Sequence, residues 1–488
     1  MMRLELRILG ALLVLISASA VTSGAHRLEK PISYVLQYSQ PGRERIKLTI
    51  TLPDSLRTPI TLVMPRAIPM GYGEQRFDRY VEALIAVANT GEPLPVQRVE
   101  GPRWRIDRDN ARLSHLEYEV DLARMEREIH SAADSSRVRS GYLGLLGYSI
   151  FAYLEGLEHR SISLEIRGPA GWPIFSTLAP RVPHTNAFLT VEAANFYALA
   201  DSQVAMGPKL QVQRFPGTVP LFVALYAEGE VDLELEGKLS LDAMERLIAY
   251  FGNAPFKHYT VHVELLRPVS AQHSYGFSME HLDSSTYYLA FDQGLTSKSS
   301  PEQRERVRFN RAHHVAHAWI PKRAYGEGYY PFSWELAPLI DTIWLSEGFV
   351  RYIAMEALAA GAPETESKAF RKRQLDSLRR ILAESPAFIR RMSLVELSRV
   401  GSTRYSEDFR TGRNLFSRGA LMASEMDEEI REGSEGKKSF RDAVRYLMSW
   451  TERNRRAFRI DELPRIFSEG TGVDTRAVMD KWLQPLDR

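Results

Sequence analysis

The chain contains no cysteine. That excludes disulfides, thiolate metal sites and a lipid-modified N-terminal cysteine, so any metal must be held by histidine and carboxylate. Net charge is equally scarce, since 63 Lys+Arg against 61 Asp+Glu leave only +2 over 488 residues. Such balance argues against nucleic-acid binding and gives no reason to expect an acidic substrate. Also missing is any apolar run of the about 18 residues that a membrane-spanning helix needs. There are no internal repeats and no low-complexity tracts.

What remains is a globular composition, 44% hydrophobic and 25% charged, in a chain long enough for two or three domains. Its first residues have the order of an export signal. Arg3 and Arg7 lead into the apolar stretch Ile8 to Ile16, and the small residues Ala18-Ser19-Ala20 and Ser23-Gly24-Ala25 follow. Residues 1–25 are therefore expected to be a cleaved secretory signal, with an uncleaved N-terminal anchor as the alternative. Export without disulfides suits a bacterial periplasm or a secreted protein whose large core needs no covalent staples.

Hydrophobic spacing changes along the chain. Ile46, Leu48, Ile50 and Leu52 alternate with polar positions, as do Leu116, Tyr118, Val120 and Leu122, and Ile162, Leu164 and Ile166. This period of two predicts half-buried strands, and residues 26–185 read as a β-sandwich-like domain. Asp121 to Arg137 interrupts it as a helical or loop insertion. Residues 186–300 read as a β-rich half. Val231, Leu233 and Leu235 alternate there, Ser240 to Phe251 has helical spacing behind a serine cap, and Val261, Val263 and Leu265 alternate again. From 301 to 488 helices dominate: Glu305 to Ile320, Asp341 to Ala360, and segments near 366–384, 415–431, 439–453 and 474–483. The class is α+β. The basic run Lys368 to Arg380 reads as a solvated helix face.

The chemistry concentrates in Ala312-His313-His314-Val315-Ala316-His317. Four residues span about 400° of helix, so His313 and His317 lie about 40° apart on one face and can address one cation. Two imidazoles need a third donor. Thirty residues after His317, Trp344-Leu345-Ser346-Glu347-Gly348-Phe349 places a carboxylate inside an apolar helix. Glu347 among Leu345, Phe349 and Ile353 is costly to bury without a partner charge, which a metal supplies. The alternative is a glutamate on the outer face, or one paired with Arg351. Two His and one Glu with an open fourth position make a hydrolytic zinc site. In such sites the residue after the first His is a Glu that takes a proton from the attacking water. Here it is His314, which can accept a proton but lacks the negative charge.

The segment from Ala312 to Gly348 resembles the glycyl aminopeptidase family of zinc metallopeptidases, whose pattern is H-E-x-x-H-x-W-N-x-K-R followed by W-x-x-E-G-F. His313, His317, Trp319, Lys322, Arg323, Trp344, Glu347, Gly348 and Phe349 stand at matching offsets. Weaker likenesses are Met64-Pro65 with Pro69 to Tyr72, Trp104, Gly141 to Gly156, Trp172, Tyr275 to His281, Gly419-Ala420-Leu421 and Thr471 to Asp474. The resemblance implies an N-terminal β-sandwich-like domain and a thermolysin-like catalytic domain with a mixed-sheet half and a helical half. It implies Zn2+ as cofactor, held by His313, His317 and Glu347. By the same analogy Glu280 holds a substrate's amino terminus; its alternative is an ordinary strand residue facing solvent.

Three positions depart from the family pattern. His314 replaces the base Glu, Phe416 replaces a tyrosine that donates to the oxyanion, and Ala67 replaces a tryptophan. The expectation is a member without the PDZ-type domain common in the family.

Three functions follow from these residues: a catalytically impaired zinc-binding protein that binds peptide or protein, a divergent active aminopeptidase, and a metal-free envelope binding module. A peptide or protein ligand is the expected partner. Nucleic acid is not, and a membrane is expected only if the leading segment stays uncleaved.

Overall fold

Alternation in the sequence becomes half-buried strands. In Arg45–Arg57 the side chains of Ile46, Leu48 and Ile50 are buried, while Lys47 and Thr49 are partly exposed. They lie opposite Val120, Tyr118 and Leu116 of Arg112–Asp121, so the apolar faces of the two strands coincide. The computed structural model describes residues 30–183, 188–273, 275–330, 332–405 and 408–487; the expected signal at 1–25 lies outside them.

These strands centre a seven-stranded sheet in the order Phe188–Ala193, Ile162–Arg167, Ile32–Gln37, Arg45–Arg57, Arg112–Asp121, Val81–Ala88 and Pro93–Leu94. Only Ile32–Gln37 and Ile162–Arg167 pair in parallel. Two four-stranded sheets share its apolar core, through Leu62 and Val63 in one and Leu143 and Leu145 in the other. The β region runs past the expected boundary at 185. Phe188–Ala193 is an edge strand of the large sheet, and Gln203–Met206 pairs with Tyr142–Leu146. Within the expected insertion, Leu122–Glu128 is a short helix whose cap, Asp121, accepts from the Arg124 N–H.

A five-stranded sheet follows. Leu221–Ala227, Tyr259–Leu266 and Ser284–Ala290 are parallel, and Gln211–Phe215 and Phe277–Glu280 are antiparallel edges. Every residue of Tyr259–Leu266 is buried, as a parallel strand covered on both faces must be. Val261, Val263 and Leu265 face the helical core. On the other face Phe222, Ala224 and Tyr226 meet the N-terminal β region, where the Tyr142 and Tyr226 rings stack at 3.9 Å. This seam also buries an ionic cluster: Arg137 pairs with Glu264, while the Tyr142 hydroxyl donates to Glu264 at 2.9 Å.

The alternation at Val231, Leu233 and Leu235 is not a strand. Leu233–Phe251 is helix α1, because Asp232 caps it by accepting the Leu235 N–H at 3.0 Å. Ser240, expected as the cap, is a buried interior residue of the same helix. Helix α2 is Pro301–Ala316, capped by Ser300 with proline in its first turn. Val350–Ala359 is helix α3, preceded by a π turn at Trp344–Phe349, and Phe409–Gly433 is helix α4. The helices expected near 366–384, 439–453 and 474–483 are Glu364–Ala383, Phe440–Asn454 and Arg476–Leu483. Leu394–Arg404 and Leu463–Thr471 were not anticipated. Lys368 to Arg380 faces solvent apart from a few positions such as buried Leu378. No helix among the described residues is long and apolar enough to cross a membrane.

Candidate metal centre

His313 and His317 stand one turn apart at the C-terminal end of α2, with ring centroids 4.6 Å apart. Glu347 arrives from the π turn, a backbone form that re-aims side chains and recurs at functional sites. That turn packs directly on α4 through two glycines, Gly348 and Gly419, whose backbones meet where no side chain would fit. All three polar side chains are buried.

Their donor atoms converge. His313 Nε2 lies 3.2 Å from Glu347 Oε2 and 3.2 Å from His317 Nε2, and His317 Nε2 lies 3.6 Å from Glu347 Oε2. Donors at about 2.0–2.1 Å around tetrahedral zinc stand about 3.3–3.4 Å from one another. The triangle therefore has the dimensions of three zinc ligands. His317 Nδ1 donates to the Ile320 carbonyl at 2.9 Å, which leaves the Nε2 lone pair directed at the centre. His313 Nδ1, by contrast, has no hydrogen-bond partner.

Charge in the pocket sets the two histidines apart. Burial disfavours the charged form of His313 and lowers its pKa to about 3, against the opposing hydrogen bond from Glu347. Burial also opposes ionisation of Glu347, but His317 and His313 outweigh it and hold the carboxyl well below its usual range. At His317 burial opposes the charged form, but Glu280 and Glu347 outweigh it and raise the pKa, so zinc, which binds neutral imidazole, would have to displace a proton there. Arg351, the alternative partner of Glu347, instead lies over the Phe309 ring at 5.0 Å.

His314 lies beside the triangle, its ring 5.0 Å from that of His313 and 5.7 Å from that of His317. Its ring meets Tyr287 edge-on at 5.6 Å, and its Nδ1 faces Glu280 Oε2 at 3.8 Å, too far for a hydrogen bond. Glu280, on the edge strand Phe277–Glu280, is buried at 5% exposure, so it does not face solvent. Glu280, His314 and His317 form a second group with metal-ligand spacing, sharing His317 with the first. The Phe416 ring lies 5.5 Å from that of His313 and has no hydroxyl to offer.

Several residues that sequence reasoning did not assign also build the site. The Tyr72 hydroxyl, from the N-terminal β region, donates to Glu347 Oε1 at 2.8 Å. Tyr329 and Ser346 join it at 3.1 and 3.0 Å. Tyr405 packs 4.9 Å from the Tyr72 ring and 6.3 Å from Phe416. Asp201 accepts from the Leu282 N–H at 2.6 Å and holds His281, the neighbour of Glu280, at 3.1 Å. Lys322 donates to the Pro69 carbonyl at 2.7 Å, and Arg323 bonds the Leu282 carbonyl at 2.9 Å. Trp319 stacks on Phe251 at 4.5 Å. The one prior signal for Tyr72 was its place in the weak likeness around Pro69.

Residues 33–208 match the Peptidase M61 N-terminal domain. The match ends where the β region does. The whole fold is also similar to solved structures. An aminopeptidase N family protein from Idiomarina loihiensis superposes with a TM-score of 0.80 at 18% identity, over 94% of this chain and 76% of that one. An M1 zinc metallopeptidase from Deinococcus radiodurans, a glutamate-to-alanine variant bound to a Tyr-Ser-Ala substrate, gives 0.56 at 15% identity over 94% of both chains. No curated protein sequence matches the chain. The fold is that of a metallopeptidase, with the candidate ligands between its sheet and its helices.

Proposed function

We propose that this chain is an exported zinc-binding relative of the glycyl aminopeptidases that binds the amino terminus of a peptide or protein, with hydrolysis impaired. The convergence of three donor atoms at 3.2–3.6 Å carries the reading. Zinc held by His313, His317 and Glu347 supplies Lewis-acid polarisation of a peptide carbonyl. Glu280, an ionised carboxylate in a buried cleft, is suited to an N-terminal ammonium. His314 cannot place a negative charge beside the attacking water, and Phe416 cannot donate to a developing oxyanion. A missing base costs about 10²–10⁴ in rate and a missing donor about 10²–10³.

The test is metal analysis of the purified mature chain together with turnover of aminoacyl-nitroanilides. About one zinc per chain and negligible turnover, with activity appearing in His314→Glu combined with Phe416→Tyr, supports the proposal. A folded chain that takes up no zinc overturns it. A second reading, a divergent active aminopeptidase, draws on Tyr405, a phenol near both Phe416 and Tyr72. Turnover by the parent chain, abolished by chelator and by His317→Ala, selects that reading.

A further inference from the structure

Glu347 uses its two oxygens differently. Oε2 stands 3.2 Å from His313 Nε2 and 3.6 Å from His317 Nε2, whereas Oε1 accepts the Tyr72 hydroxyl at 2.8 Å. The hydrogen bond on Oε1 fixes the carboxylate so that Oε2 is the oxygen beside the histidines. His313, His317 and Glu347 would hold a metal by three donors, and a hydrolytic zinc site would keep a further position for substrate or water.

Tyr72 is itself held from several sides. Each hydroxyl carries one proton. With that of Tyr72 given to Glu347, its oxygen is free to accept from Tyr329 or Ser346, which lie 2.6 Å from each other. The backbone is pinned as well. Gly73 N–H donates to the Ser402 carbonyl at 2.7 Å, and the Lys322 ammonium, buried beside Asp201, reaches the Pro69 carbonyl at 2.7 Å. Lys322 lies five residues beyond His317, and Asp201 holds His281 beside Glu280. One segment of the β region thus touches the metal turn, the end of the histidine helix and, through Lys322 and Asp201, the cleft strand.

We infer that Tyr72 is a positioning residue for the metal, an outer partner of Glu347 supplied by the N-terminal β region, so that metal affinity depends on the docking of that region. The inference rests on the zinc reading above. Outer partners of this kind typically contribute about 10–100-fold to metal affinity. Their removal affects the metal more than the fold, because an unpaired Glu347 oxygen is still compensated by the histidines.

The experiment compares the zinc dissociation constants of the full mature chain, Tyr72→Phe and Tyr329→Phe by competition with a chromophoric chelator, alongside the melting of each metal-free protein. Tyr72→Phe keeps the ring and its packing. It is expected to weaken zinc about 10–100-fold with metal-free melting close to the parent, while Tyr329→Phe, which leaves the Tyr72–Glu347 bond, changes affinity less. The d–d spectrum of the cobalt-loaded chain should shift in Tyr72→Phe, a change that a purely structural role would not produce. Equal affinities and spectra for parent and Tyr72→Phe overturn this inference alone. A parent chain that binds neither zinc nor cobalt overturns it together with the zinc reading. If Tyr72→Phe fails to fold, Ser346→Ala combined with Tyr329→Phe, which strips the supports of the Tyr72 oxygen, must weaken zinc; unchanged affinity there also refutes the role.

Discussion

Gly348→Ala tests the contact that places Glu347. A methyl group on Gly348 would stand 2.7 Å from the Gly419 carbonyl carbon and 2.8 Å from the Ala420 nitrogen. The Gly419 α-carbon stands closer than either and ordinary van der Waals contact begins near 3.4 Å, so α4 and the π turn must separate by about 1 Å. All three obstacles are backbone, and no side chain can swing aside to absorb the strain. Overpacking of this kind costs about 1–3 kcal/mol. The displacement also exceeds the about 0.2 Å tolerance of a metal–ligand distance, so zinc affinity should fall at least about tenfold. Thermal unfolding with and without chelator, followed by zinc competition, measures the two effects separately. The expected result is a lower melting temperature in both conditions and weaker zinc binding. Parent-like melting and affinity in a variant verified by sequencing would refute the argument that these two backbones must touch for Glu347 to reach the histidines.

Other outcomes follow from the same structure. Chelation should destabilise the zinc-loaded chain by about 2.7 kcal/mol relative to a solution holding zinc at a hundredfold its dissociation constant, read as a drop in melting temperature. Burial pushes the Asp134 carboxyl up to about 6 from its ordinary 3.8. Its folded-state pKa exceeds the unfolded one, so its stabilising contribution is present at low pH and is lost as pH rises through about 6. Asp134→Asn should therefore be more stable than the parent at pH 7.5, by up to about 3 kcal/mol in urea unfolding, and should lose that advantage by pH 4. Arg137→Met leaves Glu264 buried with Tyr142 as donor but without its cation, and should cost about 3–5 kcal/mol in the same assay.

Much of the fold was legible because burial imposes a period. Ile46, Leu48 and Ile50 had to share a face, and His313 and His317 had to share another, whatever packed against them. Glu347 was legible as a buried charge in an apolar segment, which needs a partner wherever it lies. Short segments misled: three alternating residues, Val231 to Leu235, could not outweigh the cap at Asp232, and Ser240 resembled a cap only while the helix start was misplaced. The boundary near 185 moved because strand pairing past it, by Phe188–Ala193 and Gln203–Met206, leaves no local mark.

The sequence alone determined the ligand types, since a chain without cysteine can offer zinc only imidazole and carboxylate, and it determined the helical spacing of the two histidines. Tertiary structure decided the rest. Whether Glu347 turned to the histidines or to Arg351 depended on two glycines, 71 residues apart, that let α4 and the π turn meet. The hydroxyl on its second oxygen comes from Tyr72, 275 residues earlier in the chain. Contacts of that separation have no spacing rule, because nothing in local backbone geometry relates one partner to the other.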